Sequence, residues 1–190
     1  VLIPNHIQRK IQLVGNALFT LGLNHSHSGN ISFRKGRKIY ITRRGSMKGL
    51  LEPADIICLG LEDSARDKIA STEVNVHKAI FRNTQANAIV HCHPPISTAL
   101  SLIKNKIIPL DVEGRIALPK IPVLKCLKAT ASKELENKLP PLLEKYRSVI
   151  IKGHGLFSIG ESLEEAFHYA TLTEHISKII YYTDTVSIKK

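Results

Sequence analysis

Cysteine is scarce in this sequence, and Cys58, Cys92 and Cys126 are odd in number, far apart and without CxxC spacing. Neither a disulfide framework nor a thiolate zinc site is indicated, and a reducing cytoplasm is the expected compartment. Long apolar runs are missing too. The opening Val1-Leu2-Ile3-Pro4-Asn5-His6 is interrupted by Pro4 and followed by Arg9 and Lys10. No later run approaches the roughly 18 residues that a membrane span needs, so a soluble, unprocessed chain with no membrane partner is expected. Acidic residues are in short supply, 16 against 27 Lys and Arg, for a formal net charge of +11. Such an excess raises the question of nucleic acid. The basic residues, however, come in ones and twos, as in Arg34-Lys35, Arg43-Arg44 and Lys189-Lys190, with no long block and no RNA- or DNA-binding signature. No nucleic-acid partner is expected, and an anionic small substrate or the ordinary surface of a thermally robust protein accounts for the balance. Repeats, low-complexity tracts and interior linkers are absent, so residues 1–190 read as one domain, long enough to bury a core without staples.

The apolar residues fall into periodic segments. Ile7, Ile11, Val14, Leu18 and Leu21 stand at helical spacing, and Gly22 stops the pattern. Two alternating runs, Ile31-Ser32-Phe33-Arg34 and Lys38-Ile39-Tyr40-Ile41-Thr42, flank Lys35-Gly36-Arg37 and predict a β-hairpin. Asp55–Leu59 predicts a strand, Ser71 or Thr72 a cap on a helix through about Phe81, and Ala88–His93 a strand. That strand ends at Pro94-Pro95, where a helix starts and runs to about Ile103. Further strands are predicted at Lys106–Leu110, Ile121–Leu124, Ser148–Lys152 and Leu156–Ile159. A helix from Ser132 is expected to be broken or restarted by Pro140-Pro141. The capping box Ser162-Leu163-Glu164-Glu165 opens a last helix that runs to about Tyr182. This order of elements predicts a single α/β domain with a mainly antiparallel sheet.

Chemistry concentrates at His91-Cys92-His93. A strand sends alternate side chains to opposite faces, which puts both imidazoles on one side and Cys92 on the other. Two histidines on a strand also serve packing or solvation, and His154 shifts the reading toward metal. It lies between Gly153 and Gly155 at the end of an apolar strand, where small neighbours allow close approach. Three histidines with an open fourth position meet the needs of a catalytic zinc site, whose vacancy polarises a substrate carbonyl or hydroxyl. Glu73 reads either as an acid compensating the dipole of its helix or as a base or fourth ligand. His77, one turn on, is either a partner of the site or a satisfied core residue. His6, His25, His27, His168 and His175 show no convergent spacing and are expected to be surface or structural. Ser28-Gly29-Asn30, Arg44-Gly45 and the helix start at Ser71-Thr72 each offer exposed amides or hydroxyls, and together they make a plausible phosphate address.

In this order, Ser28-Gly29-Asn30, Ser71-Thr72-Glu73, His91-Cys92-His93-Pro94 and Gly153-His154-Gly155 resemble the class II aldolase and adducin head family over nearly the whole chain. The likeness is greatest to the branch that acts on fuculose phosphate. The resemblance implies a single three-layer α/β/α domain with a central mixed, largely antiparallel sheet, and a homotetramer with sites at the subunit interfaces. It implies that His91, His93 and His154 bind Zn²⁺ or another divalent ion such as Mn²⁺, Co²⁺ or Fe²⁺. Glu73 would be the acid–base residue that can also ligate the metal, and Gly29, Asn30, Gly45, Ser71 and Thr72 would hold a substrate phosphate. The implied reaction is reversible cleavage of a phosphorylated sugar, a ketose 1-phosphate, by way of an enediolate to dihydroxyacetone phosphate and an aldehyde. Two departures stand out. The family's type members use a tyrosine of a neighbouring subunit as proton donor, whereas this chain has Leu110–Gly114, so Glu113 either takes that place or sits in a surface turn. Where the family often has Thr-Gly, Arg44-Gly45 directs an arginine either at the phosphate or at solvent. Sister activities share the implied site: a pentulose-phosphate 4-epimerase and a methylthioribulose-phosphate dehydratase. A non-catalytic adducin-like scaffold is the remaining alternative, and the intact His91, His93, His154 and Glu73 argue against it.

Overall fold

Ile7, Ile11, Val14 and Leu18 recur every three or four residues and all are buried, which is why α1 forms over Asn5–Thr20 and lies on the core. At its end Gly22 N donates to Phe19 O and Leu23 N to Leu18 O, a reversal that leaves Leu21 outside the helix and exposed. This computed structural model describes residues 3–62 and 64–187, so Val1, Leu2 and the Lys189-Lys190 pair lie outside the described residues. The predicted hairpin forms as β1 (Asn30–Lys35) and β2 (Lys38–Thr42), with Lys35 opposite Lys38. The other strands are β3 (Ile56–Gly60), β4 (Ala88–Cys92), β5 (Lys106–Ile107), β6 (Ile121–Leu124), β7 (Ser148–Ile151) and β8 (Gly155–Gly160). They form one sheet in the order β3-β2-β1-β4-β8-β7-β6-β5, antiparallel throughout except for the parallel β6–β7 pair.

The helices are α2 (Val74–Asn83), α3 (Pro95–Ile103), α4 (Val112–Ala117), α5 (Lys133–Tyr146) and α6 (Leu163–Ser187). Strand alternation sorts them into layers. Ala88, Val90 and Cys92 of β4 pack with α1, α3 and α6, while Ile89 packs on the other face with Phe157, Ile159, α2 and α5. The result is the three-layer α/β/α domain with a mixed, largely antiparallel sheet.

Several expectations change at element ends. β5 stops at Ile107, because Asp111 Oδ2 accepts from Gly114 N at 2.7 Å and draws the chain into α4. β4 stops at Cys92, so His93 follows the strand instead of closing it. α5 continues through Pro140 and Pro141 without a break. The two missing N–H groups free the carbonyls of the half-exposed Glu136 and the exposed Asn137, while buried Leu135, Leu139 and Leu143 anchor the helix from either side. α6 runs five residues past Tyr182, to Ser187.

Candidate metal centre

The register across β1, β4 and β8 sets Asn30 opposite His91 and His91 opposite Phe157, so these three side chains share one face at the middle of the sheet. The His91 ring stacks on Phe157 with centroids 4.1 Å apart and planes 14° from parallel. Its Nδ1 donates to Leu156 O at 2.9 Å, which fixes the tautomer and leaves Nε2 as a bare lone pair. His93, just past the strand, is held by its backbone N–H, which donates to Leu23 O at 2.9 Å and Asn24 Oδ1 at 3.1 Å. His154 occupies the turn between β7 and β8, where its N–H donates to Ile151 O at 3.0 Å. One nitrogen from each of the three rings lies within 4.8 Å of the others, and His93 Nε2 is 3.1 Å from His91 Nε2.

Gly155 makes this approach possible. A Cβ there would fall 2.6 Å from Cys92 O, 2.8 Å from His93 Cδ2 and 3.1 Å from His91 Cε1. Backbone and rings cannot both yield, so Gly155→Ala is expected to lower metal affinity roughly 10- to 100-fold, as disturbed supports of metal ligands do. Titration against a competing chelator reads this change, and an unchanged dissociation constant would show that the rings have room.

Electrostatics favour a cation here. Burial, reinforced by neighbouring His154, holds the His91 imidazole well below its usual pKa, and burial with His91 and His154 nearby takes His93 down to about 3. Both rings are therefore neutral around pH 7. Glu73 Oε2, another lone-pair donor, lies 3.1 Å from His91 Nε2. A single ring proton can bridge only one of these close pairs, whereas a divalent ion satisfies all of them. His154 Nδ1 and Glu73 Oε1 are also buried with no hydrogen-bond partner, the signature of groups waiting for a ligand. The chain thus fits a divalent metal, with a three-imidazole donor set that suits zinc and its first-row neighbours. Among the described residues the convergent group is the three histidines, with Glu73 beside His91.

His91, His93, His154 and Glu73 line a cavity of about 230 Å³ together with Gly29, Asn30, Arg44, Gly45, Ser71 and Thr72, so all the nominated phosphate residues come to one place. Gly29 lies at φ +70° with its Cα against the strand: an added Cβ would sit 2.4 Å from His91 O. Glu73 occupies the N-cap position of α2, but its side chain caps nothing; Ser71 Oγ accepts from Glu73 N at 3.3 Å instead. The Glu73 carboxylate turns to His91, accepting from Asn30 Nδ2 at 3.0 Å. His77 is fully buried, and burial lowers its pKa to about 4 against the opposing pull of Glu73. Glu113 is elsewhere. It is exposed on α4 and lines a separate cavity of about 380 Å³ with His168, Glu174 and His175.

Sequence reasoning missed four residues of the site. His27 and Arg43 line the metal cavity, as do Thr130 and Lys48. His25, also read as peripheral, meets His93 edge-on at 6.2 Å. The two histidines directly precede Ser28-Gly29-Asn30, and that adjacency was the available signal. Lys48 gave none. It is only 2% exposed, its Nζ donates to Ser46 O at 2.7 Å, and burial brings its pKa to about 8, partly offset by Asp55.

Residues 9–181 match the class II aldolase and adducin N-terminal domain family. A protein of Methanococcus maripaludis strain C7 named L-fuculose phosphate aldolase is 32% identical over 154 residues, spanning 80% of this chain and 84% of its own. A methylthioribulose-1-phosphate dehydratase of Methylococcus capsulatus is 31% identical over 163 residues, or 78% and 80% of the two chains. The solved structure of L-fuculose-1-phosphate aldolase from Thermus thermophilus superimposes with a TM-score of 0.93 at 32% identity, covering 97% of both chains.

Proposed function

The chain belongs to the class II aldolase and adducin family, and on that premise we propose that it is a metal-dependent lyase cleaving a ketose 1-phosphate of the L-fuculose 1-phosphate kind. The products are dihydroxyacetone phosphate and an aldehyde. The observation that carries this reading is the convergence of three imidazoles beside a buried carboxylate oxygen that has no partner. His91, His93 and His154 would hold a divalent ion, zinc or a first-row neighbour, which would supply Lewis acidity toward the substrate carbonyl and hydroxyl. Glu73 moves the proton at the carbon next to that carbonyl. The same carboxylate, with Oε2 3.1 Å from His91 Nε2, would be a further ligand for that ion. Gly29, Asn30, Gly45, Ser71 and Thr72 receive the phosphate through backbone and hydroxyl donors, with the exposed Arg44 beside them.

The basic lining supports an anionic substrate. Lys48→Met keeps the length of the side chain and removes its charge. It is expected to raise KM for the phosphorylated substrate roughly 10- to 100-fold, the worth of a hydrogen bond to a charged group, and to change kcat much less. Steady-state kinetics read this; equal KM values would place the ammonium outside the phosphate's reach.

Glu113 can act at a metal centre only from a neighbouring copy. In support, Val112 and Ile116 on the same short helix are 73% and 79% exposed, and Ile103 at the end of α3 is 79% exposed. We take the assembly to be a homotetramer with shared sites, working in the cytoplasm. No helix among the described residues is long and apolar enough to cross a membrane. The direct test of the chemistry is exchange of a carbon-bound proton of dihydroxyacetone phosphate with D₂O. Metal-dependent exchange supports the aldolase. Bound metal without exchange favours the dehydratase reading, which the Methylococcus capsulatus relative supports.

A further inference from the structure

We propose that His77 is a positioning residue that selects which oxygen of Glu73 moves the proton, acting through Asn30, which fixes its tautomer, with Ser32 on the other ring nitrogen. The inference rests on the reading of Glu73 as the acid–base residue. Ser32 and His77 are fully buried, and Glu73 and Asn30 are 4% and 5% exposed, so each polar atom among them must find its partner within the protein. The partners form one line. Ser32 Oγ is 2.6 Å from His77 Nδ1, His77 Nε2 meets Asn30 Oδ1, and Asn30 Nδ2 is 3.0 Å from Glu73 Oε2.

The proton arrangement along this line is forced from its carboxylate end. A carboxylate only accepts, so Asn30 must turn its NH₂ to Glu73 and its carbonyl oxygen to His77. That oxygen also only accepts, so His77 must carry its proton on Nε2. Nδ1 of the neutral ring is then bare and takes the Ser32 hydroxyl proton. Reversing the amide would set its oxygen against the carboxylate. The sequence builds this line economically: Asn30 and Ser32 are two apart on β1 and share a face, and His77 lies one helical turn beyond Glu73.

The consequence falls on Glu73. Its Oε2 is occupied by Asn30, while Oε1 is buried and unpartnered. Oε1 is therefore the oxygen that gives and takes the proton. Removing His77 frees the Asn30 amide to turn and lets the carboxylate swing, without touching the three histidine ligands.

The test has two arms. In zinc-loaded, ¹⁵N-labelled protein, the ring nitrogens of His77 are assigned by their loss in His77→Gln. The expected result is a protonated Nε2 and a bare Nδ1; a protonated Nδ1 overturns the proposal. This arm needs no turnover, so failure of the aldolase reading and failure of the relay are told apart. In the kinetic arm, His77→Leu is expected to lower kcat roughly 10- to 100-fold with KM and zinc content unchanged, the usual loss when the support of a functional group goes. His77→Gln, whose amide can still donate to Asn30, should recover most of it. Unchanged kcat in His77→Leu, or no recovery in His77→Gln, overturns the proposal.

Discussion

Replacing His154 with alanine is expected to take the protein from about one bound divalent ion per chain to almost none, with turnover lost and the fold kept. The reason for the loss is the geometry: the three rings bring their nitrogens within 4.8 Å of one another, and two imidazoles do not make a zinc site. The reason for the intact fold is where His154 sits. It occupies a turn, half-buried, with exposed Gly153 before it, and its Nδ1 has no hydrogen bond to lose. Removing the ring takes away an unsatisfied buried atom and leaves the β7–β8 pairing in place. Metal analysis of protein purified without added metal, beside circular dichroism of both proteins, reads the outcome. Unchanged metal content would remove His154 from the site.

Glu73→Gln is expected to keep the metal and lower kcat on the order of 100- to 10,000-fold, the range that general acid–base groups contribute. The substitution preserves shape and an oxygen that can still accept from Asn30 Nδ2. It removes only the capacity to take a proton. A purely structural Glu73 would stabilise the start of α2, yet its side chain makes no capping bond there. The variant should therefore unfold at nearly the temperature of the parent. Full activity would return Glu73 to a supporting role.

What the sequence made legible follows from the range of the forces involved. Strand alternation puts His91 and Cys92 on opposite sides, and the structure places Cys92 in the opposite core layer and His93, just past the strand, beside His91. The glycines around His154 were readable because a missing Cβ is a local fact. The short helix α4 was not, since six residues carry too little periodicity and one Asp111 cap decides the outcome. Pro140-Pro141 misled for a related reason. Local chemistry predicts a break, while three buried leucines that hold the helix on the core override it. Lys48 was illegible because its burial depends on a loop folding back, with Lys48 N donating to Ser26 O at 2.9 Å across 22 residues of chain. Glu113 belongs to the same class of problem, as its position relative to a metal depends on another copy.

Metal-dependent cleavage of a ketose 1-phosphate is the chemistry proposed for the three-histidine site. It is tested most directly by release of dihydroxyacetone phosphate from a panel of ketose 1-phosphates, fuculose 1-phosphate included, with zinc-loaded protein and a chelated control. Release that requires the metal and is lost in His154→Ala is the predicted result. No release from any member of the panel, with zinc bound, would contradict it.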